Sequence, residues 1–297
     1  MATTRPESIL LAPGAWKAKC TAHMIGFWTD KKTAQALPAK AYSPLEAQSP
    51  YASKEFGEPL GGLGFIQLIR YTETPVGPYD ELILAPGLFA YPVEDKDGKK
   101  TTKTARRITR IYVSQKHTCW NGRTNWNIPK HLARFEWTEN QDGSTHVKVF
   151  PHDYEGPGTG TQPYDASEAQ PSARPFFQCT VTPMKYLPSF PLSTSVLKLT
   201  GINMAMVHPP VPQGAGSAGE LAGTDRWCEI DDFVQSSRAA HLSWADMSQK
   251  GDDGTPAPDE FDNFWPGMGR WVMAVTLADG NLALGAGKHW DTPKSLV

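Results

Sequence analysis

The sequence predicts a mainly β fold, a barrel or a strongly curved sheet with few short helices. Three observations carry that expectation. Pro and Gly number 26 each and punctuate all 297 residues at short intervals, as in proteins built of many strands joined by turns. Between them lie short runs rich in β-branched and aromatic residues. One pair of these runs, "ARFEW" and "THVKVF", flanks an Asp142-Gly143 turn, with Phe135 and Trp137 alternating against Val147 and Val149.

In chain order, "FIQLIRYTET" (65–74) reads as a strand, and "YDELILAPGLFAY" (79–91) as a strand buried on both faces. "RRITRIYVSQ" (106–115) follows a basic turn and reads as a third strand. "FFQCTVTPM" (176–184) and "SVLKLTGINMAMV" (195–207) are expected to form a further strand pair. "RWVMAVTLADGNLALGAG" (270–287) is expected to be a hairpin turning at Asp279-Gly280. "TDRWCEIDDFVQSSRAA" (224–240) admits two readings. One is a helix with Trp227, Ile230 and Val234 on one face, capped by Thr224 or Asp225; the other is an irregular segment feeding a strand at "HLSWADM". Residues 153–175, 209–224 and 249–263 read as long loops, lids or insertions on a single domain spanning 1–297.

Composition narrows the function classes. The chain is 39% hydrophobic, 20% charged and carries a net charge of −2. A sizeable core is therefore available, and no basic stripe points to nucleic acid. No stretch is apolar enough to span a bilayer by helix. Cys20, Cys119, Cys179 and Cys228 form no CxxC and read as free thiols of a reducing, cytoplasmic setting. The eight histidines make neither HxH nor HExxH, so no metal site is expected. "GGLG" (61–64) has no Walker lysine and no GxGxxG pattern, and reads as a turn before a strand. There is no GxSxG nucleophile elbow.

The stretch "NGRTNWNIPKHLARFEW" (121–137) offers a different chemistry. A lysine that attacks a carbonyl must be neutral. Its ordinary value is ~10.4, so neutrality at pH 7 needs a bias of about 4 kcal/mol against the ammonium. Burial or a neighbouring cation supplies such a bias. Lys130 has apolar neighbours in Trp126, Ile128, Leu132 and Phe135, and cations in Arg123, His131 and Arg134. Pro129 stiffens its backbone. The bland alternative is a lysine in a structural ion pair with Glu81 or Glu136. In an extended run, Arg123, Asn125 and Asn127 share one face, directed to a cavity or a subunit contact; His131 points away from Lys130.

Gly122-Arg123, followed by Pro129-Lys130-His131-Leu132, resembles the motif around the Schiff-base lysine of the acetoacetate decarboxylase-like superfamily. "VGPYDEL" (76–82) resembles that family's Gly-x-Tyr-x-Glu segment. The resemblance covers most of residues 10–290 and is strongest over 76–137. It implies a cone-shaped β-barrel with a buried, apolar cavity and a homo-oligomeric assembly. Lys130 falls on the nucleophile and Glu81 on the active-site glutamate. Arg123, Asn125, Asn127 and His131 are the substrate-binding candidates. The implied activity is a carbon–carbon lyase acting on a β-keto acid or related carbonyl compound by decarboxylation, aldol or dehydration chemistry. It needs neither a metal nor a dissociable cofactor. A non-covalent binder or cyclase of a hydrophobic metabolite is the alternative. Thr124 stands where the family has glutamate, and His131 where it has a second lysine. Thr21 falls near its N-terminal arginine. The Pro/Gly-rich insertions resemble fungal members of the group, which implies a secondary-metabolite substrate.

Overall fold

The computed structural model describes residues 5–94, 97–152, 171–196, 204–249, 272–293 and 296. The expected loops 153–175 and 249–263 fall largely outside them, as do residues 197–203.

The chain enters as strand β1 (Trp16–Thr29) and passes through short helices α1 (Lys31–Gln35) and α2 (Pro44–Ala47) to the long strand β2 (Glu58–Glu73). Next come β3 (Tyr79–Ala85), β4 (Leu88–Glu94), β5 (Lys100–Arg106) and β6 (Arg110–Val113), then helix α3 (Lys116–Trp126). Strands β7 (Lys130–Glu139), β8 (Thr145–Pro151), β9 (Phe177–Pro183), β10 (Phe190–Ser193), β11 (Met206–His208), β12 (Arg226–Ile230), β13 (Phe233–Asp246), β14 (Met273–Leu284) and β15 (Lys288–Asp291) complete the described elements.

Nine of these strands close into a ring in the order β1-β14-β13-β9-β8-β7-β6-β3-β2, sealed by pairing of β1 with β2. Closure leaves no free edge within the ring. The neighbours are antiparallel except β6 and β7, which run parallel. A second sheet continues from the start of β2 through β4, β5, β11 and β12 to β15. The expected mainly β barrel is therefore present.

β2 belongs to both sheets because it bends at its glycines. Gly61 sits at φ +79°, and a Cβ there would lie 2.3 Å from the Thr29 carbonyl oxygen. Only glycine fits that crossing. "GGLG" is thus a bend within a strand rather than a turn before one.

β2 and β3 are buried on both faces. Ile69, Tyr71, Tyr79 and Ile83 join one apolar cluster with Trp126 and Ile128. Ile66, Leu68, Leu82 and Leu84 join another with Val147, Val149 and Phe177. The period of two along each strand sorts them.

Four local expectations are corrected. The run at 79–91 is two strands, broken at Pro86-Gly87. Residues 224–240 form β12 and the start of β13, not a helix; Trp227, fully buried, stacks on Phe56, Tyr91 and Trp290 in the second sheet. Residues 273–284 are one strand, not a hairpin. Asp279 takes φ +46° and absorbs a register shift against β1 between Cys20 and Ala22, so the Asp-Gly pair makes a bulge. β9 pairs with β8 and β13, while β11 pairs with β12 and β5. The hairpin at Asp142-Gly143 forms as expected, with Phe135 opposite Val149 and Trp137 opposite Val147.

Candidate active site

Helix α3 links the parallel strands β6 and β7, and its ends place Lys130. Gln115 caps the first turn by accepting from the Thr118 N–H at 3.0 Å. Asn127 closes the last turn in the left-handed region at φ +53°. The Asn127 and Ile128 amides donate back to the Arg123 and Gly122 carbonyls, at 3.0 and 3.2 Å. Pro129 forbids further helix, and Lys130 opens β7. The lysine side chain then runs across Gly122, where a Cβ would lie 2.6 Å from its Cδ. The glycine of the motif is a clearance for the lysine.

Lys130 is 4% exposed. Its Nζ donates to Glu81 Oε2 at 2.7 Å and to Thr118 Oγ1 at 2.9 Å, and lies 5.1 Å from the centre of the Tyr79 ring. The Tyr71 hydroxyl donates to the other Glu81 oxygen at 3.0 Å, and the Tyr71 and Tyr79 rings lie 4.4 Å apart. Burial disfavours the ammonium, but the Glu81 carboxylate and then Tyr79 more than offset it, so Lys130 is held above its ordinary value. At rest the amine is protonated. Burial likewise pushes the Tyr79 phenol up to about 12, against the pull of Lys130, so it keeps its proton at neutral pH.

These groups face a cavity of about 50 Å³, room for a few water-sized groups. Its walls are mostly apolar, with Trp16, Phe65, Ile69, Ile111, Trp126 and Leu282 prominent. Gln67 and Gln235 are its further polar groups among the described residues, joined by a hydrogen bond of 2.9 Å from Gln67 Nε2 to Gln235 Oε1.

Lys130 and Glu81 thus meet at the cavity, and the other four candidates do not line it. The expected extended run at 123–127 is the end of helix α3, so its residues do not alternate. Arg123 is fully buried and bonds to Glu46 at 2.9 Å, to the carbonyls of Ala222 and Lys130 at 2.8 and 3.2 Å, and to that of Pro212. His131, on the opposite strand face from Lys130, meets the other Glu46 oxygen at 2.6 Å. Burial would raise the Glu46 carboxyl, but His131 and Arg123 together hold it below its ordinary value. Asn125 donates to the Ala12 carbonyl at 2.8 Å, and Asn127 to that of Pro209 at 3.1 Å. Thr124 bonds back to the Trp120 carbonyl of its own helix. Arg70 sits opposite Thr21 but turns to Asp80 and the Trp137 ring.

Tyr71, Tyr79, Thr118, Gln67 and Gln235 are the site residues that sequence reasoning missed. Tyr79 had a signal, since it lies two positions before Glu81 and so shares its strand face. Gln235 had none, because its partner comes from a strand 168 positions away.

No metal-holding group of His, Cys, Asp and Glu occurs among the described residues. All four cysteines are buried, and none is in a disulfide. No described helix is long and apolar enough to cross a membrane.

No family model matches the sequence. Over 105 residues it is 30% identical to the protein NEOXANTHIN-DEFICIENT 1 of Oryza sativa subsp. japonica, a match spanning 35% of this chain and 30% of that protein. The chain superposes on an acetoacetate decarboxylase-like enzyme from Sphingomonas wittichii RW1 with a TM-score of 0.51 and 10% identity, covering 95% of this chain and 94% of that one. Acetoacetate decarboxylase from Legionella pneumophila subsp. pneumophila str. Philadelphia 1 gives a TM-score of 0.50 and 13% identity, covering 94% and 88%. The closed ring, the second sheet and the helix that presents Lys130 are arranged in the acetoacetate decarboxylase-like fold.

Proposed function

We propose that the protein is a Schiff-base lyase that uses Lys130 on a small carbonyl compound. The observation that carries this reading is a buried amine facing an apolar cavity within hydrogen-bond reach of one carboxylate and a hydroxyl.

In the reading, the resting pair is ammonium and carboxylate. When an apolar substrate displaces the remaining water, the proton passes 2.7 Å from Nζ to Glu81, because a neutral pair is favoured in a low-dielectric site. The free amine attacks the carbonyl carbon to give a carbinolamine. Glu81 returns the proton as the hydroxyl leaves as water, and an iminium remains. The iminium then accepts the electron pair of the adjacent bond that breaks, to a carboxylate carbon, to an aldol carbon or, in dehydration, to an α-proton, and becomes an enamine. In dehydration the enamine then expels the β-hydroxyl, which leaves with its own pair and a proton as water. Protonation of the enamine carbon and addition of water release product and restore the amine. Tyr71 keeps Glu81 oriented throughout, and Thr118 keeps Nζ in place.

The test is covalent trapping. The protein is incubated with acetoacetate or acetylacetone, reduced with borohydride, and its intact mass measured. A stable adduct that maps to Lys130 and is lost in Lys130→Ala is the expected result. No adduct with a panel of ketones, with ligand binding kept in Lys130→Ala, overturns it in favour of a non-covalent binder of an apolar metabolite. That second reading draws on the protonated resting state of Lys130 and the apolar walls.

A further inference from the structure

We propose that the Gln67–Gln235 amide pair is the recognition end of the cavity. It selects an uncharged carbonyl compound with a second hydrogen-bond-accepting oxygen, such as a diketone or hydroxy-ketone, over a keto acid. The inference rests on the Schiff-base reading of Lys130 and names the substrate class for it.

Both glutamines are 1% exposed and line the cavity. They come from β2 and β13, which are separated in the ring by the two strands β1 and β14. One hydrogen bond joins them, and Gln235 Nε2 has no partner. Two amides carry four N–H donors between them, so either orientation of the pair leaves donors unspent inside an apolar chamber. A buried donor without an acceptor is costly to keep unless a ligand supplies one.

Charge separates the ligand classes. The charged groups lining the cavity among the described residues are Lys130 and Glu81, and they neutralise each other. A carboxylate entering would lose its water, meet no second cation and face Glu81. Arg123 is committed to Glu46 and to three backbone carbonyls. A ketone or alcohol oxygen has no such penalty and fits a neutral amide donor.

Register supplies the reach. Gln67 pairs with Ile83, Ile83 with Ile111, and Ile111 with Lys130, so the four lie in one row across the sheet. The ends of that row are about 14 Å apart at Cα. Two long side chains reach in from those ends, and the isoleucines floor the gap between them.

Three ligands of one length test the assignment: acetylacetone, acetoacetate and methyl propyl ketone, which lacks the second oxygen. Non-covalent binding is measured by ligand-observed NMR on the Lys130→Met/Glu81→Gln variant, which removes both charges together, and adduct formation by intact mass on the parent and on Gln235→Leu. Acetylacetone is expected to bind at least about tenfold more tightly than either other ligand. Gln235→Leu, added to that double variant for the binding arm, is expected to erase the preference over methyl propyl ketone, while the exclusion of acetoacetate, which rests on charge, remains. Urea unfolding of Gln235→Leu is measured beside the binding arm, so that a lost preference is read from a folded barrel. Acetoacetate binding as tightly as acetylacetone, or a preference over methyl propyl ketone unchanged by Gln235→Leu, overturns the assignment. An adduct without preference sinks the amide role alone. Preference without any adduct sinks the lysine chemistry alone.

Discussion

Lys130 and His131 are neighbours on one strand, yet they enter two buried ionic clusters that do different work. On one face Glu81 holds Lys130, with Tyr71 and Thr118 completing the contacts. On the other Glu46 holds Arg123 and His131. Both carboxylates are almost fully buried, at 3% and 0% exposure. The clusters differ in what lies beside them. Arg123 also donates to backbone carbonyls at two points of the loop at 209–224 and at the start of β7, so it ties that loop and, through Glu46, α2 to the barrel. Lys130 opens onto a cavity. Burial and pairing alone therefore do not mark a site; an unfilled space next to the pair does.

Breaking the scaffold cluster is expected to have the largest effect. Glu46→Ala leaves a guanidinium and an imidazole buried without their anion, and a loss of about 3–5 kcal/mol in urea unfolding is expected. A loss under about 1 kcal/mol would mean that the cluster is not structural.

The cavity pair is expected to respond in the opposite sense. Lys130→Met with Glu81→Gln removes both charges and keeps an acceptor for Tyr71. Stability within about 1 kcal/mol of the parent, or higher, is expected in the same unfolding assay, with adduct formation abolished. A large loss would make this pair a scaffold as well.

Gly122→Ala sharpens the comparison from the side of packing. Its Cβ would lie 2.6 Å from Lys130 Cδ, so the lysine must shift. A cost of about 1–3 kcal/mol is expected, together with a several-fold drop in adduct yield. Unchanged yield would show that Lys130 reaches its position by another route.

The smallest effects separate the clusters along the pH scale. Lys130 is held above its ordinary value of 10.5. Its contribution is fully present below that pH and is lost as pH rises beyond it, through the raised folded value. Glu46 is held below 4.5, so its contribution is present above that pH and is lost as pH falls through the lowered folded value. Unfolding curves across pH are expected to lose the alkaline slope in Lys130→Met and the acid slope in Glu46→Gln. The reverse pattern would reassign the two clusters.

Much of the barrel was legible because strand alternation is local. The pairing of Phe135 and Trp137 with Val149 and Val147 follows from two short runs and one Asp-Gly turn. The same dipeptide misled at Asp279-Gly280, since a positive φ serves a bulge as well as a hairpin. Helix α3 was illegible for a different reason. Its sequence, "KHTCWNGRTNW", is largely polar yet mostly buried, so no apolar stripe announces it. Reading it as extended put Arg123, Asn125 and Asn127 on one face, when each is spent on holding α3 to the rest of the chain. Asn127 followed by Ile128-Pro129 was the available stop signal. The meeting of Gln67 and Gln235 was beyond local reading, because it exists only once the ring has closed.

Trp16 in β1 stands opposite Leu284 in β14, and both line the chamber around Lys130. Walls drawn from strands so far apart in sequence can meet only late in folding, since long loops must close first. The hairpin of β2 and β3 that carries Glu81 is local by contrast and can form early. That places the carboxylate alone; the amine, on β7, reaches it only once β6 and β7 have paired beside β3. A fragment lacking β14 would keep the two charged residues and lose a wall of the apolar chamber beside them.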